Sequence, residues 1–143
     1  MRLIGIFIKR AHGGPMDRKD SALLEAGLGL AGNANRGGRR QVTLISSERW
    51  NELVAEVRAT LGPDARRANL VVSGIDLENT RGRVLRIGDC RVRINGETRP
   101  CELMEEAAAG LQEAMGHRWG GGVFAEVLDG GAIAVGDAVS WES

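Results

Sequence analysis

Glycine occupies 21 of the 143 positions, and it recurs at the ends of short stretches in which apolar and polar side chains alternate. In "VLRIGDCRVRING" Cys90, Val92 and Ile94 alternate with Arg91 and Arg93, the period-two pattern of a half-buried strand that turns Cys90 toward the core. Glycine at this density reads as short strands joined by tight turns, because it alone enters left-handed backbone conformations at little cost. "LIGIFIKR" is apolar on both faces and reads as a central strand; "QVTLI" and "NLVVSGIDL" read as further strands. "GVFAEVLDGGAIAVGDAVSWES" reads as a closing meander with turns at Asp129-Gly130-Gly131 and Gly136-Asp137. Ala11–Arg40 shows little sustained period and reads as a long irregular excursion, a kind of segment that tends to carry function.

Two helices interrupt the strands. Trp50, Leu53, Val54, Val57 and Leu61 repeat at helical spacing behind Ser46 or Ser47 as cap, with Gly62-Pro63 as the stop. "CELMEEAAAGLQEAM" sets Met104, Ala107, Ala108, Leu111 and Met115 on one side and ends at Gly116. Some seven short strands with so few helices predict a mostly β fold: a closed or nearly closed barrel with two or three peripheral helices. The length fits one domain spanning residues 1–143.

Nineteen basic residues balance nineteen acidic ones, so no whole-protein field favours nucleic acid or an anionic membrane as partner. The apolar run at the N-terminus is too short to span a bilayer and no cleavage site follows it. A soluble, cytoplasmic protein is expected, with Cys90 and Cys101, the two cysteines, as free thiols.

"GETRPCELMEE" places Cys101 in the expected first turn of the second helix, behind Arg99 and Pro100. Backbone N–H groups there favour a thiolate, the form that attacks electrophiles and binds metals. The same position also suits a small apolar residue seated at a helix start, and local sequence leaves both readings open. "GNANRGGRRQ" and "ARRAN" gather Arg36, Arg39, Arg40, Arg66 and Arg67 in loops rich in amides and glycine. Such loops suit a phosphate-bearing ligand, with a solvated rim as the plainer alternative. The glycine patterns of nucleotide-binding folds are absent. His12 and His117 lack partners at metal-ligand spacing, so no structural zinc site is expected. Gly120-Gly121-Gly122 gives either backbone access to a pocket or a sharp turn into a strand.

Four segments, "GPM" with "GLGLAGNANRGGRRQVTLIS", "ARRANLVVSGIDL", "LRIGDCRVRINGETRPCELMEE" and "GGGVFAEVLDGGAIAVGDAV", occur in this order over nearly the whole chain. Together they resemble a small stand-alone MOSC domain, the module named for the C-terminal part of molybdenum cofactor sulfurases. The resemblance implies a barrel-like fold and a role in handling sulfur or the molybdenum cofactor. It implies that Cys101 is the reactive residue, either as a persulfide-forming sulfur carrier or as thiolate ligand to the molybdenum of a bound molybdopterin.

By the same resemblance Arg39, Arg40, Arg67 and Asn69 lie near the pocket; Arg36 and Gly121, from the loop and glycine-run readings above, and Asn33 and Asn35 are the further cofactor-binding candidates. Many members carry an acidic residue at the place of Asn33 and often a histidine at that of Asn35. Asparagine keeps the hydrogen bonds and loses the general base and the anionic ligand. A cysteine desulfurase or a molybdenum enzyme is the implied donor or acceptor of sulfur. Whether the chain is an enzyme stays open. A non-catalytic interaction module is the third reading, and it predicts an unreactive Cys101.

Overall fold

The structure is a computed structural model that describes residues 1–142. Among these residues, eleven strands and three short α-helices follow in the order β1 (Arg2–Lys9), β2 (Met16–Lys19), β3 (Ser21–Glu25), β4 (Gly29–Leu30), β5 (Val42–Ser46), α1 (Ser47–Glu56), β6 (Leu70–Ser73), β7 (Val84–Ile87), β8 (Cys90–Glu97), α2 (Glu102–Ala107), α3 (Leu111–Met115), β9 (Val123–Asp129), β10 (Gly131–Ala134) and β11 (Val139–Trp141). A 3₁₀ turn at Pro63–Arg66 precedes β6.

Eight strands form one mixed sheet in the order β11-β7-β8-β9-β5-β6-β1-β2, and β10-β3-β4 form a second sheet. The large sheet does not close into the expected barrel. Among the described residues β2 pairs only with the Ile6–Lys9 half of β1, and β11 pairs only with β7. Across the seam an isolated bridge joins Arg2 to Ala138. Backbone bonds flank it, the Leu3 N–H donating to the Asp137 carbonyl at 2.9 Å and the Val139 N–H to the Met1 carbonyl at 3.1 Å, but the contact is confined to the Gly136-Asp137 turn and does not extend into a ladder between β1 and β11.

Three further expectations change with the topology. The segment from Ala11 to Arg40 is not irregular throughout, since it supplies β2, β3 and β4. β1 is interior but one place from an edge. The last three strands are not a meander: β9 lies between β8 and β5, β10 joins β3, and β11 joins β7. The chain turns at Gly136-Asp137 as expected, but Asp129-Gly130-Gly131 is no turn: Gly130 alone separates β9 from β10 as the chain passes from the large sheet to the small one.

Two apolar layers sandwich the large sheet. On one side Leu3, Ile6, Leu44, Leu70, Leu85, Cys90, Val92 and Ile94 pack together, with Cys90 fully buried as its alternation predicts. Burial, followed by the charge of Asp89, pushes the Cys90 thiol upward in pKa and keeps it neutral. On the other side Trp50, Leu53 and Val54 of α1 meet Phe7, Val71, Met104, Leu111 and Met115. Ser46 caps α1, its Oγ accepting from the Arg49 N–H at 3.3 Å. That helix stops at Glu56, before Gly62-Pro63, because Arg58 turns left-handed at φ +57°.

The second predicted helix is two. Ala108 is extended and Gly110 has φ +84°, which breaks the pattern between Ala107 and Leu111. The break lets Met104 and Leu111 both reach the core. No helix among the described residues is long and apolar enough to cross a membrane.

Candidate functional site

Cys101 is exposed and is the N-cap of α2, one position before the helical turn expected for it. Its backbone is extended at φ −112°, ψ 175°, and its side chain makes no capping bond. The segment that carries it, Thr98–Cys101, is held against the glycine run: the Thr98 N–H donates to the Gly122 carbonyl at 2.8 Å. Gly121 lies so close to this segment that a Cβ there would overlap the Thr98 carbonyl oxygen and sit 3.4 Å from the Pro100 nitrogen. The absence of a side chain at Gly121 is therefore what seats the thiol loop.

Arg66 is the buried cation of the site, 8% exposed. Its Nε donates to the Gly121 carbonyl at 3.0 Å, which fixes the guanidinium beside the backbone that supports Cys101. Burial lowers the Arg66 pKa to about 10; an ionised Cys101 acts against that shift and the positive charge of Arg40 adds to it. Arg66 stays charged at neutral pH. Lys9, at the end of β1, is lowered by burial and then by the charges of Arg67 and Arg40. Lys9, Arg40, Arg66, Arg67 and Cys101 thus share one electrostatic neighbourhood, and none of these four cations forms a salt bridge among the described residues.

Asn33 and Asn69 are the brace behind this cluster. Asn69 Nδ2 donates to the Phe7 carbonyl at 3.1 Å and to Asn33 Oδ1 at 3.2 Å, while Asn69 Oδ1 accepts from the Thr43 N–H at 3.1 Å. Asn33 Oδ1 also accepts from the Lys9 N–H at 2.9 Å, and its Nδ2 donates to the Asn35 carbonyl at 3.2 Å. An acidic side chain at 33 could not make that last bond, so asparagine suits the brace that this loop needs.

The predicted residues do not all converge. Arg36 is paired with Glu25, and the charge of Arg39 acts on Glu126 over the β8–β9 ladder, while the Arg39 carbonyl accepts from Asn95 Nδ2 at 2.8 Å. Arg67 is half-buried at φ +66° and donates to the Gly14 carbonyl, tying the N-terminal loop to the 3₁₀ turn. His12 and His117 are exposed, and no group of three His, Cys, Asp or Glu side chains gathers as a metal site among the described residues.

Sequence reasoning missed Lys9 and Thr98. Lys9 follows an apolar strand as its first charge, a visible signal that reads equally as a strand end. Thr98 is 3% exposed with its Oγ1 unpartnered, and nothing in "GETRP" announces a buried hydroxyl.

This arrangement joins an accessible thiol to fixed positive charge. Oxyanions and phosphate groups are the ligands such fixed charge favours.

Comparison with known proteins agrees with the architecture. The model of the family described as "MOSC domain" matches residues 9–140. The fold is similar to the crystal structure of the YuaD protein from Bacillus subtilis, with TM-score 0.81 and 22% identity over 96% of this chain and 93% of that one. It is also similar to YiiM from Escherichia coli, with TM-score 0.77 and 18% identity over 100% and 70% of the two chains. YiiM from Geobacillus stearothermophilus superposes with TM-score 0.78 and 14% identity over 99% and 75%. No curated protein matches the sequence. With nearly all of its length matched by that family's model, the chain belongs to the MOSC domain family, which is linked to molybdenum cofactor sulfurase-like proteins.

Proposed function

We propose that the protein is a sulfur carrier linked to molybdenum cofactor metabolism, with Cys101 as the residue that is loaded. The observation that carries this reading is the exposed Cys101 thiol set beside the buried, charged Arg66. In the loading step the Cys101 thiolate attacks the outer sulfur of a donor persulfide R–S–SH. A bond forms between Cys101 Sγ and that sulfur, the donor S–S bond breaks, and R–S⁻ leaves. The product, Cys101–S–SH, keeps the proton and needs no external oxidant. A cysteine desulfurase fits the chemistry of the donor and a molybdenum enzyme that of the acceptor, both in the reducing cytoplasm where free thiols persist.

The cation cluster supports a second reading, a molybdenum cofactor-binding domain. The residues fit such a group by charge: Lys9, Arg40, Arg66 and Arg67 suit a pterin phosphate or metal oxyanion, and the buried, unpartnered Thr98 hydroxyl is a spare hydrogen-bonding group beside the loop. Cys101 is the soft donor that molybdenum would take from the protein. When bound, the group would supply oxygen-atom or sulfur chemistry at the metal, and this chain's part would be to hold and orient it.

Intact-mass spectrometry after incubation with a cysteine desulfurase and cysteine separates the readings. A gain of one sulfur that disappears in Cys101→Ser is expected. Absence of that gain in a protein isolated with bound pterin and molybdenum would replace the carrier reading with the cofactor reading. Absence of both, with a thiol that resists alkylation, would leave a non-catalytic module.

A further inference from the structure

On the face of the sheet that carries α1 and α2, a cleft of about 720 Å³ opens between β1–β2 and the 3₁₀ turn. Its floor is Gly5, Phe7 and Val71, and its far wall is Pro63, Ala65 and Ala107. A register shift between Leu3 and Gly5 creates it. Strict alternation would send one of residues 4 and 5 inward, but the irregularity leaves Leu3 and Ile6 in the opposite core layer and puts both Ile4 and Gly5 on this face. Gly5 then provides depth, since a Cβ there would meet Phe7 at 3.1 Å and Val71 at 3.3 Å. Pro63, Ala65 and Ala107 on the far wall are small and leave the volume open, and Ile4 and Met16 complete the apolar lining.

The rim is charged unequally. Arg18 stands opposite Phe7 in the β1–β2 ladder, and Arg67 closes the end nearest the cation cluster, with Asp64 as the carboxylate among the described lining residues. An apolar floor of this size with two guanidiniums against one carboxylate complements a flat organic body bearing one negative charge. Ala107, on the far wall, lies six residues after Cys101, about 9 Å along the α2 axis.

We infer that this cleft is a binding site for a small planar organic anion of about bicyclic size, with its apolar body on Gly5, Phe7 and Val71 and its anionic group against Arg18 and Arg67. Its use as the seat of a small-molecule sulfur acceptor rests on the sulfur-carrier reading; the binding itself does not. The cleft is separate from the Lys9, Arg40 and Arg66 cluster, with Arg67 as the shared boundary.

The test uses 2-naphthoate as probe and 2-naphthamide as its neutral match, titrated into the full chain carrying Cys101→Ser and followed by calorimetry and amide chemical shifts. Saturable one-to-one binding is expected, with shifts at Gly5, Phe7, Ala65, Val71 and Ala107. The amide should bind about tenfold more weakly, as should naphthoate to Arg18→Gln, for loss of one charge-assisted contact. Ala107→Trp should abolish binding by filling the cleft.

No saturable binding, equal affinity for the two probes, or shifts confined to the cation cluster would each overturn the inference. Because the thiol is absent from the test protein, a failure of persulfide loading elsewhere leaves this result standing.

Discussion

Gly121→Ala separates two explanations of the glycine run, backbone freedom and space. Gly121 does not occupy the left-handed region, unlike Gly122 at φ +85°, so alanine there meets no backbone strain. It meets the Thr98 carbonyl instead, which must retreat by about 1 Å before the new Cβ reaches the 3.0 Å that real contacts respect.

The retreat pulls on the Thr98 N–H bond to Gly122 and moves Pro100-Cys101 away from the carbonyl that anchors Arg66. Overpacking of this kind costs about 1–3 kcal/mol, and loss of one buried hydrogen bond adds about 1 kcal/mol. For a chain of this size the sum lowers Tm by roughly 5–15 °C.

Differential scanning calorimetry measures that shift. Reaction of Cys101 with an aromatic disulfide at pH 7 measures whether the thiol has left Arg66, and it should slow several-fold. A variant with wild-type Tm and wild-type thiol reactivity would refute the account of Gly121 as the seat of the thiol loop.

Other consequences are open to the same kind of test. Arg66→Met removes the buried cation beside the thiol loop and should slow alkylation of Cys101 at neutral pH several-fold, with Arg66→Lys restoring part of the rate. Asn69→Asp loses the donors to Phe7 and Asn33 and should cost about 2–4 kcal/mol in urea unfolding, since two acceptors lose their bonds and a buried charge appears. The Arg93 hydrogen bond holds the Glu126 carboxyl below its ordinary value of 4.5. A depressed acid stabilises the fold fully above that value and loses its contribution as pH falls through the folded pKa. Arg93→Gln should therefore lower stability by a small, constant amount at pH 7 to 8 and flatten the acid limb of a stability-against-pH curve below about pH 4.5, where variant and parent converge.

Much of the local structure is legible in the sequence. Cys90 is buried because its neighbours Arg91 and Arg93 point the other way, and Ser46 caps α1 because a hydroxyl stands directly before an apolar period of 3.6. The second helical run reads as one helix because good helix formers flank the break. Glu105, Glu106, Ala107 and Ala108 all favour helix, yet Ala108 is extended and the left-handed Gly110 follows it. The candidate site divides in the same way. "RRAN" and "RGGRR" mark positive loops, yet nothing local distinguishes Arg66, anchored under the thiol, from Arg36, paired with Glu25.

The sequence by itself determined β1 and β5 to β11 as short strands, the turn at Gly136-Asp137, the inward side of Cys90, Val92 and Ile94, and the family, because period, glycine placement and motif order are local properties of the chain. The tertiary structure alone decided that the sheet stays open, that β9, β10 and β11 take different partners, and that Arg66 and Gly121 meet at Cys101. Those outcomes depend on contacts between residues tens of positions apart, 55 in the case of Arg66 and Gly121. Such contacts depend on which pairing buries the most apolar surface while satisfying every backbone group, a quantity defined only for the whole fold.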